Sequence, residues 1–311
     1  MIQDWFCDIY SSIKDKNTFL KRIRFYSLLR WLTRQTANII LPLAFRLYPS
    51  KNQLSDQRSP RLIVSLTTFP ARIEKLWLVI ECLFRQAVLP DKIILWLSQE
   101  QFASIQSLPA QLLKYQKKGL DIRLVEGDIR SHKKYAYAFK QYPEDIIITI
   151  DDDVFYPSYM IQSLCASHGQ YPHDTIANVA HQICYTPQGE VRPYNEWKHN
   201  ITQNHCSEHI FQVGVGGVLY PPHCTIKEVI DTRLAFSTCP CGDDIWLYAM
   251  CRLKGTMIRT SDSPFFPLPI INRHNKELST DNLANGNDIQ IRQLMNYSLT
   301  TWGRNPFEQN R

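Results

Sequence analysis

The 311-residue chain lacks any apolar run long enough to cross a membrane, and no apolar signal-peptide core stands near Met1. In its N-terminal part the longest uncharged stretch is the 11 residues Gln35–Phe45, interrupted by Pro42, against the ~20 that a spanning helix needs. Val154–His173 is also uncharged, but it is polar and broken by Pro157 and Pro172. No internal repeat or low-complexity tract is present. A disulfide framework is missing too: the nine cysteines are odd in number and irregularly spaced. These absences argue against a membrane-spanning protein, a solenoid and a stapled secreted domain, and they predict a reducing, cytoplasmic setting. Most of the chain also lacks a charge excess. The net charge is +6, yet residues 1–58 hold 10 Lys/Arg against 4 Asp/Glu, leaving 25 against 25 for residues 59–311. So balanced a body shows no basic face for nucleic acid.

What is present begins with that basic segment. Phe19–Tyr26, Leu28–Leu32 and Ile39–Phe45 interleave aromatics with arginines, a composition suited to the headgroup region of an anionic bilayer. Residues 1–58 therefore read as a basic, aromatic-rich helical extension. It either touches the inner face of the cell membrane peripherally or packs on the following domain. Arg22, Arg24 and Arg30 fall on different helical faces, so no clean amphipathic stripe decides between them. The polar stretch Lys51–Pro60 reads as a linker.

From Arg61 strands alternate with helices. Leu62–Leu66, Lys92–Leu97, Asp121–Val125 and Asp145–Ile150 are strand-like, separated by helical spacing at Ile73–Gln86, Pro109–Lys118 and Lys133–Gln141. Such repeats imply an α/β fold with a mostly parallel, Rossmann-like sheet and helices on both faces. Further strands are expected near Ile176–His181 and around Phe211–Tyr220, with a helix from Asp243.

Four constellations can carry chemistry. Asp151-Asp152-Asp153 directly follows the apolar run Ile146–Ile150, so these carboxylates arrive at the sheet's C-terminal edge. There Asp153, with Asp151, suits Mg²⁺ or Mn²⁺, and a neighbouring carboxylate suits a ribose; the bland alternative is helix capping near Pro157. Gly242-Asp243-Asp244 opens an amphipathic helix. One aspartate suffices as a cap, which leaves Asp244 able to take a proton from a hydroxyl. Asp128 to Lys134 supplies an acid and then lysines at a sheet edge, suited to a nucleotide and its phosphates or simply to a solvated turn. Gly214–Pro222 permits close backbone approach to a sugar or to another strand, and lacks the Lys-Ser/Thr of a phosphate-cradling loop. Zinc at His205, Cys206, His209, Cys239 and Cys241 is disfavoured by the ligand spacing.

Taken in order, Thr67-Thr68-Phe69-Pro70-Ala71-Arg72-Ile73, Asp128 with Lys134, the IDDDVFYP run, the GVGGVLYPP run and the GDDIWL helix start form a set. Over roughly residues 61–300 the chain resembles bacterial nucleotide-sugar glycosyltransferases of the GT-A fold, of the capsule, O-antigen and lipooligosaccharide biosynthesis type. The resemblance implies a transferase domain at 61–300 and a tail at 301–311. It implies Thr67, Thr68 and Arg72 by the nucleotide, Asp128 near the base, Lys134 toward the diphosphate and Asp152 near the ribose or donor sugar. It implies Asp151 and Asp153 on a divalent metal, Mn²⁺ or Mg²⁺, with His274 completing the shell. Asp244, beside Asp243, matches the catalytic base of inverting members. The donor implied is a nucleotide sugar, most simply a UDP-sugar, and the acceptor a saccharide or lipid-linked saccharide. Ser131-His132 departs from the family's usual Gly-Pro turn. Tyr194, Trp197 and Trp246 offer an apolar floor for an acceptor sugar, or ordinary core packing. Two rival readings are an aspartate-nucleophile phosphohydrolase, whose nucleophile strand normally opens the core, and a non-catalytic sugar-binding assembly subunit.

Overall fold

The computed structural model describes residues 1–13, 19, 24–54, 57–201, 207, 209–272 and 286–309. At its centre is a seven-stranded sheet. Its first four strands are β1 (Leu62–Thr67), β2 (Lys92–Ser98), β3 (Leu120–Val125) and β4 (Ile146–Thr149). The chain then adds β5 (Val154–Phe155), β6 (Thr175–Ala177), β7 (Ala180–Gln182), β8 (Ile210–Gln212), β9 (Val218–Tyr220), β10 (Ile258–Thr260) and β11 (Leu268–Pro269). The sheet order is β3-β2-β1-β4-β9-β6-β10, with β5 paired to β11 and β7 to β8 in small separate ribbons. Neighbours are parallel except where β9 runs antiparallel to both β4 and β6. This is the mostly parallel α/β architecture that the alternating pattern implies.

Burial on both faces explains why the central strands are continuously apolar. Along β1, Leu62, Val64 and Leu66 join one core, while Ile63 joins Ile94, Trp96, Ala138 and Ile147 in another. The first core is covered by α3 (Leu76–Phe84), every residue of which is buried, and the second by α5 (Lys133–Gln141). The intervening short helix α4 (Ala110–Leu113) adds Leu112 to the first core. A third core lies under α8 (Asp243–Lys254) and α9 (Asn287–Trp302), with α7 (Thr232–Thr238) beside them. The helix after the acidic triplet, α6 (Met160–Gln170), starts three residues beyond Pro157.

The N-terminal helices share the first core. From α1 (Ile2–Ser12) come Phe6, Cys7 and Tyr10, and from α2 (Phe25–Leu47) come Ala37, Leu41 and Phe45. Polar ties fix the packing: Asp4 accepts from the Ser158 amide at 2.6 Å, and the Asn38 amide donates to the Pro269 carbonyl at 3.0 Å. The stretch read as a linker is strapped down, since the Leu54 amide bonds the Lys118 carbonyl and Leu54 packs over Gly119.

The single strand expected at Ile176–His181 is in fact two, β6 and β7, in different sheets. Asn178 is the reason. Fully buried, it donates to the Met160 and Gly216 carbonyls at 3.3 and 3.1 Å, and its Oδ1 accepts from Ser261 at 2.6 Å. A buried amide so fully bonded leaves the ladder and redirects the chain.

Candidate active site

β4 ends at the middle of the sheet, between β1 and β9, and the triplet leaves from it. The loop is short because β5 begins at Val154 and pairs with β11, and the Ile270 amide bonds the Asp153 carbonyl at 2.7 Å. Tyr156 holds the loop from beneath. Its hydroxyl accepts the Asp151 amide at 3.0 Å and reaches the Val215 carbonyl at 3.0 Å, tying the triplet to the glycine loop.

The three carboxylates divide between two cations. Asp152 turns inward: one oxygen accepts from the Thr68 hydroxyl and the other from Arg72 Nη1 at 2.6 Å. Arg72 also lies 2.9 Å from Asp153 Oδ2. Asp151 Oδ1 lies 2.7 Å from Lys134 Nζ, whose side chain is almost wholly buried, and Lys134 reaches Asp243 Oδ2 at 2.7 Å as well. Asp244, one residue on, accepts the Gly214 amide at 3.0 Å through Oδ2, while its buried Oδ1 has no hydrogen-bond partner among the described residues. Strand end, α5, α8 and the glycine loop thus meet in one place.

Gly214 is the residue that lets them meet. A Cβ there would stand 2.8 Å from both Asp244 Oδ1 and Lys134 Nζ, closer than nonbonded atoms approach. Three residues later Gly217 takes a φ of +85°, turning the chain into β9.

Four carboxylates (Asp151, Asp152, Asp153, Asp243) pair with two cations, Arg72 and Lys134, and a fifth, Asp244, lies within the field of Lys134 without an ion pair. The imbalance appears in their acidities. Asp153 is pushed up to about 7 by burial, against the pull of Arg72. Asp244 is also pushed up to about 7, by burial and then by Asp243, with Lys134 opposing. Asp243 goes the other way: Lys134 holds it below the usual range despite burial. Lys134 itself is raised, burial being outweighed by Asp151, Asp243 and Asp244. A site that leaves two buried acids half-protonated near neutral pH is short of positive charge, and oxygen donors of this kind suit a hard divalent cation. Among the described residues no three His, Cys, Asp or Glu side chains stand in a metal-ligating group. His274, expected to complete the shell, lies outside the described residues, as do His205 and Cys206.

Other expected positions fall as follows. Thr67 closes β1, its hydroxyl donating to the Trp96 carbonyl at 2.8 Å. Asp128 organises the loop before α5, accepting from Lys133, from Gln101 at 2.6 Å and from the Arg130 amide at 3.0 Å. In the departing Ser131-His132 turn, His132 is buried, its ring nitrogens meeting the Cys239 carbonyl at 2.7 Å and the Tyr135 hydroxyl at 2.8 Å. Trp246 and Trp197 are core: both are buried and spend their indole N–H on the Val229 and Arg192 carbonyls. Tyr194 is half-buried and close enough to Asp244 to feel its charge. Sequence reasoning missed Tyr156 and the inward turn of Asp152. A tyrosine five residues past Asp151 is too generic a signal, and orientation within a triplet has none.

No protein-family model matches the chain, and no curated protein does. Solved structures do resemble it. A mannosyltransferase from Pyrobaculum calidifontis, complexed with GDP-Man and Mn²⁺, is 13% identical over 86% of this chain and 75% of its own, with a TM-score of 0.48. S. aureus TarS residues 1–349 are 13% identical over 78% of this chain and 73% of their own, with a TM-score of 0.45. A 4-diphosphocytidyl-2C-methyl-D-erythritol synthase from Anaerococcus prevotii is 12% identical over 74% of this chain and 96% of its own, with a TM-score of 0.42. Likeness at this level leaves the chemistry to the chain's own residues.

Proposed function

We propose that the protein is a divalent-metal-dependent glycosyltransferase that moves a sugar from a nucleoside-diphosphate donor, a UDP-sugar first among them, to a saccharide or lipid-linked acceptor in surface-polysaccharide synthesis. The observation that carries this reading is the acid-rich cluster at the C-terminal end of β4, where Asp151 and Asp243 pair with the buried Lys134, Asp244 stands within its field, and Asp153 shares Arg72 with Asp152. Open parallel sheets bind nucleotides at that edge, near the point where strand order reverses, and here β1 and β4 are the parallel neighbours from which the order diverges.

Asp151 and Asp153 would hold Mn²⁺ or Mg²⁺, with His274 as a further ligand. When bound, the metal offsets negative charge on the departing diphosphate. Lys134 adds fixed positive potential in a site where burial weakens screening. Arg72, clamped by Asp152 and seated over the Phe69 ring at 5.2 Å, keeps the β1 edge with Thr67 and Thr68 in shape beside the nucleotide. Asp128 fixes the loop that faces the base. Asp244 is the base: it takes the proton of the acceptor hydroxyl as that oxygen attacks the anomeric carbon, with inversion. Its unpartnered Oδ1 and its acidity near neutrality suit that task, and Asp243 locks Lys134 beside it.

A thermal-shift screen of nucleoside diphosphates and nucleotide sugars, with and without Mn²⁺, tests the reading. The wild type is expected to be stabilised by UDP or a close relative only when metal is present, and Asp153→Ala to lose that response. An equal shift in the variant removes the carboxylates from the donor site. Phosphate release from nucleotide-free phosphomonoesters would instead support the phosphohydrolase.

A further inference from the structure

We infer that α2, together with the start of α1, is a docking face for the headgroup region of an anionic lipid bilayer. The helix is apolar on two opposite sides. Its inner side, Ala37, Leu41 and Phe45, is in the core. Its outer side carries Leu28, Leu32, Ile39, Leu43 and Leu47, spaced by four or seven so that they share one stripe. These five are 43–72% exposed. Of the 18 large hydrophobic residues exposed on the described surface, 13 lie in the first 48 residues. A monomer seldom leaves so concentrated an apolar surface in water.

Charge decides what covers it. From Lys16 to Ser55 the sequence has eight Lys/Arg and no Asp or Glu. Arg24, Arg46 and Lys51 are exposed at the two ends of the helix, and Trp5, Trp31 and Tyr48 are exposed aromatics of the kind that sit at a headgroup boundary. A second copy of the chain would bring two cationic faces together, whereas anionic headgroups neutralise them. Crossing is ruled out for this helix, since Arg30, Arg34, Arg46 and Pro42 interrupt it and no described helix is long and apolar enough to span. The earlier alternatives, packing or membrane contact, are therefore opposite sides of one helix.

The docking face is also coupled to the candidate site. Asn38 donates to Pro269 and accepts the Ile271 amide at 2.8 Å, and the Ile270 amide in turn bonds Asp153. Docking would hold the β4 edge at a fixed place relative to the bilayer, where a lipid-linked acceptor is presented. That consequence rests on the transfer reading; the docking itself does not.

Vesicle flotation with the full chain tests docking without any nucleotide. Vesicles of phosphatidylcholine with one-third phosphatidylglycerol should carry the wild type, phosphatidylcholine vesicles should carry far less, and added salt should reduce the difference. The variant Leu32→Ser/Ile39→Ser/Leu43→Ser should keep the wild-type circular dichroism and lose on the order of tenfold or more in partitioning, given the apolar area removed. A second variant, Arg24→Gln/Lys51→Gln, should weaken binding to anionic vesicles alone. Equal flotation of wild type and the triple variant overturns the inference. So does a dimer, seen by light scattering, that the triple variant dissociates and anionic vesicles do not compete away.

Discussion

Replacing Lys134 by methionine is expected to cost about 3–5 kcal/mol of stability near pH 7, because a buried charge network loses the cation at its centre. Methionine keeps the length of the stem and removes only the ammonium. In the wild type that ammonium meets Asp151 and Asp243 at 2.7 Å each and favours the ionised form of Asp244 as well. Without it these acids face one another with no counter-charge of their own. The signs of linkage fix the pH dependence. Asp243 is depressed by Lys134, so its contribution is present above the ordinary Asp range near 4 and is lost as pH falls through its lower folded value. Lys134 is raised, so its contribution is present below the ordinary Lys range and is lost only at high pH. Without the cation the buried acids resist an ionisation that the unfolded chain permits above about pH 4. The penalty of the substitution should therefore grow from pH 4 toward pH 8 and be smallest toward pH 4, where the bared acids keep their protons. Urea unfolding of both proteins at pH 7 and pH 4.5 measures this. A penalty below about 1 kcal/mol, or one that does not shrink as pH falls, refutes the claim that Lys134 is the counter-ion of a buried acid cluster.

Three further outcomes follow from the same geometry. Metal-free wild type should lose stability relative to Asp244→Asn as pH rises from about 4 to 7, because a folded-state value near 7 means the native state resists ionisation that the unfolded chain permits. Paired urea titrations across that window check the slope, and if Asp244 is the base, Asn should also abolish sugar transfer while leaving nucleotide binding intact. Gly214→Ala should lower nucleotide affinity and stability together, since its methyl group would meet Lys134 and Asp244 at 2.8 Å; unchanged melting and binding would show that the cluster can shift to make room. Arg72→Met should leave Asp152 and Asp153 without their cation and raise the affinity for Mn²⁺ less than it lowers stability, readable by calorimetry and thermal melts.

Much of this was legible before any coordinates. The isoleucine run of β4 and the Leu-Ile-Val-Ser-Leu run of β1 are too apolar for anything but strands buried on both faces, and a triplet of acids directly after one of them has few places to go. The helix from Asp243 and the loop from Asp128 to Lys134 were found by the same logic of strand edges and caps. What the sequence left dark was orientation and pairing. Nothing in Asp151-Asp152-Asp153 says that the middle residue turns back to Thr68 and Arg72, because that depends on the short β5–β11 ribbon pulling the chain away after Asp153. Nor could Lys134 be read as a buried counter-ion, since one of its two ion-pair partners, Asp243, lies on α8, more than a hundred residues later. Asn178 split an expected strand through hydrogen bonds to Met160, Gly216 and Ser261, three contacts without a local signature. The apolar outer stripe of α2 was obscured because leucines occupy both of its sides, so the periodicity blurs.

The most direct measurement is the electron paramagnetic resonance signal of free Mn²⁺, titrated with the protein in the presence of UDP. Wild type should remove the signal stoichiometrically, while Asp151→Asn/Asp153→Asn, shown to be folded by circular dichroism, should leave it standing. A double variant that sequesters manganese as well as the wild type would contradict the assignment of these two side chains to the cation and, with it, the transfer chemistry built on them.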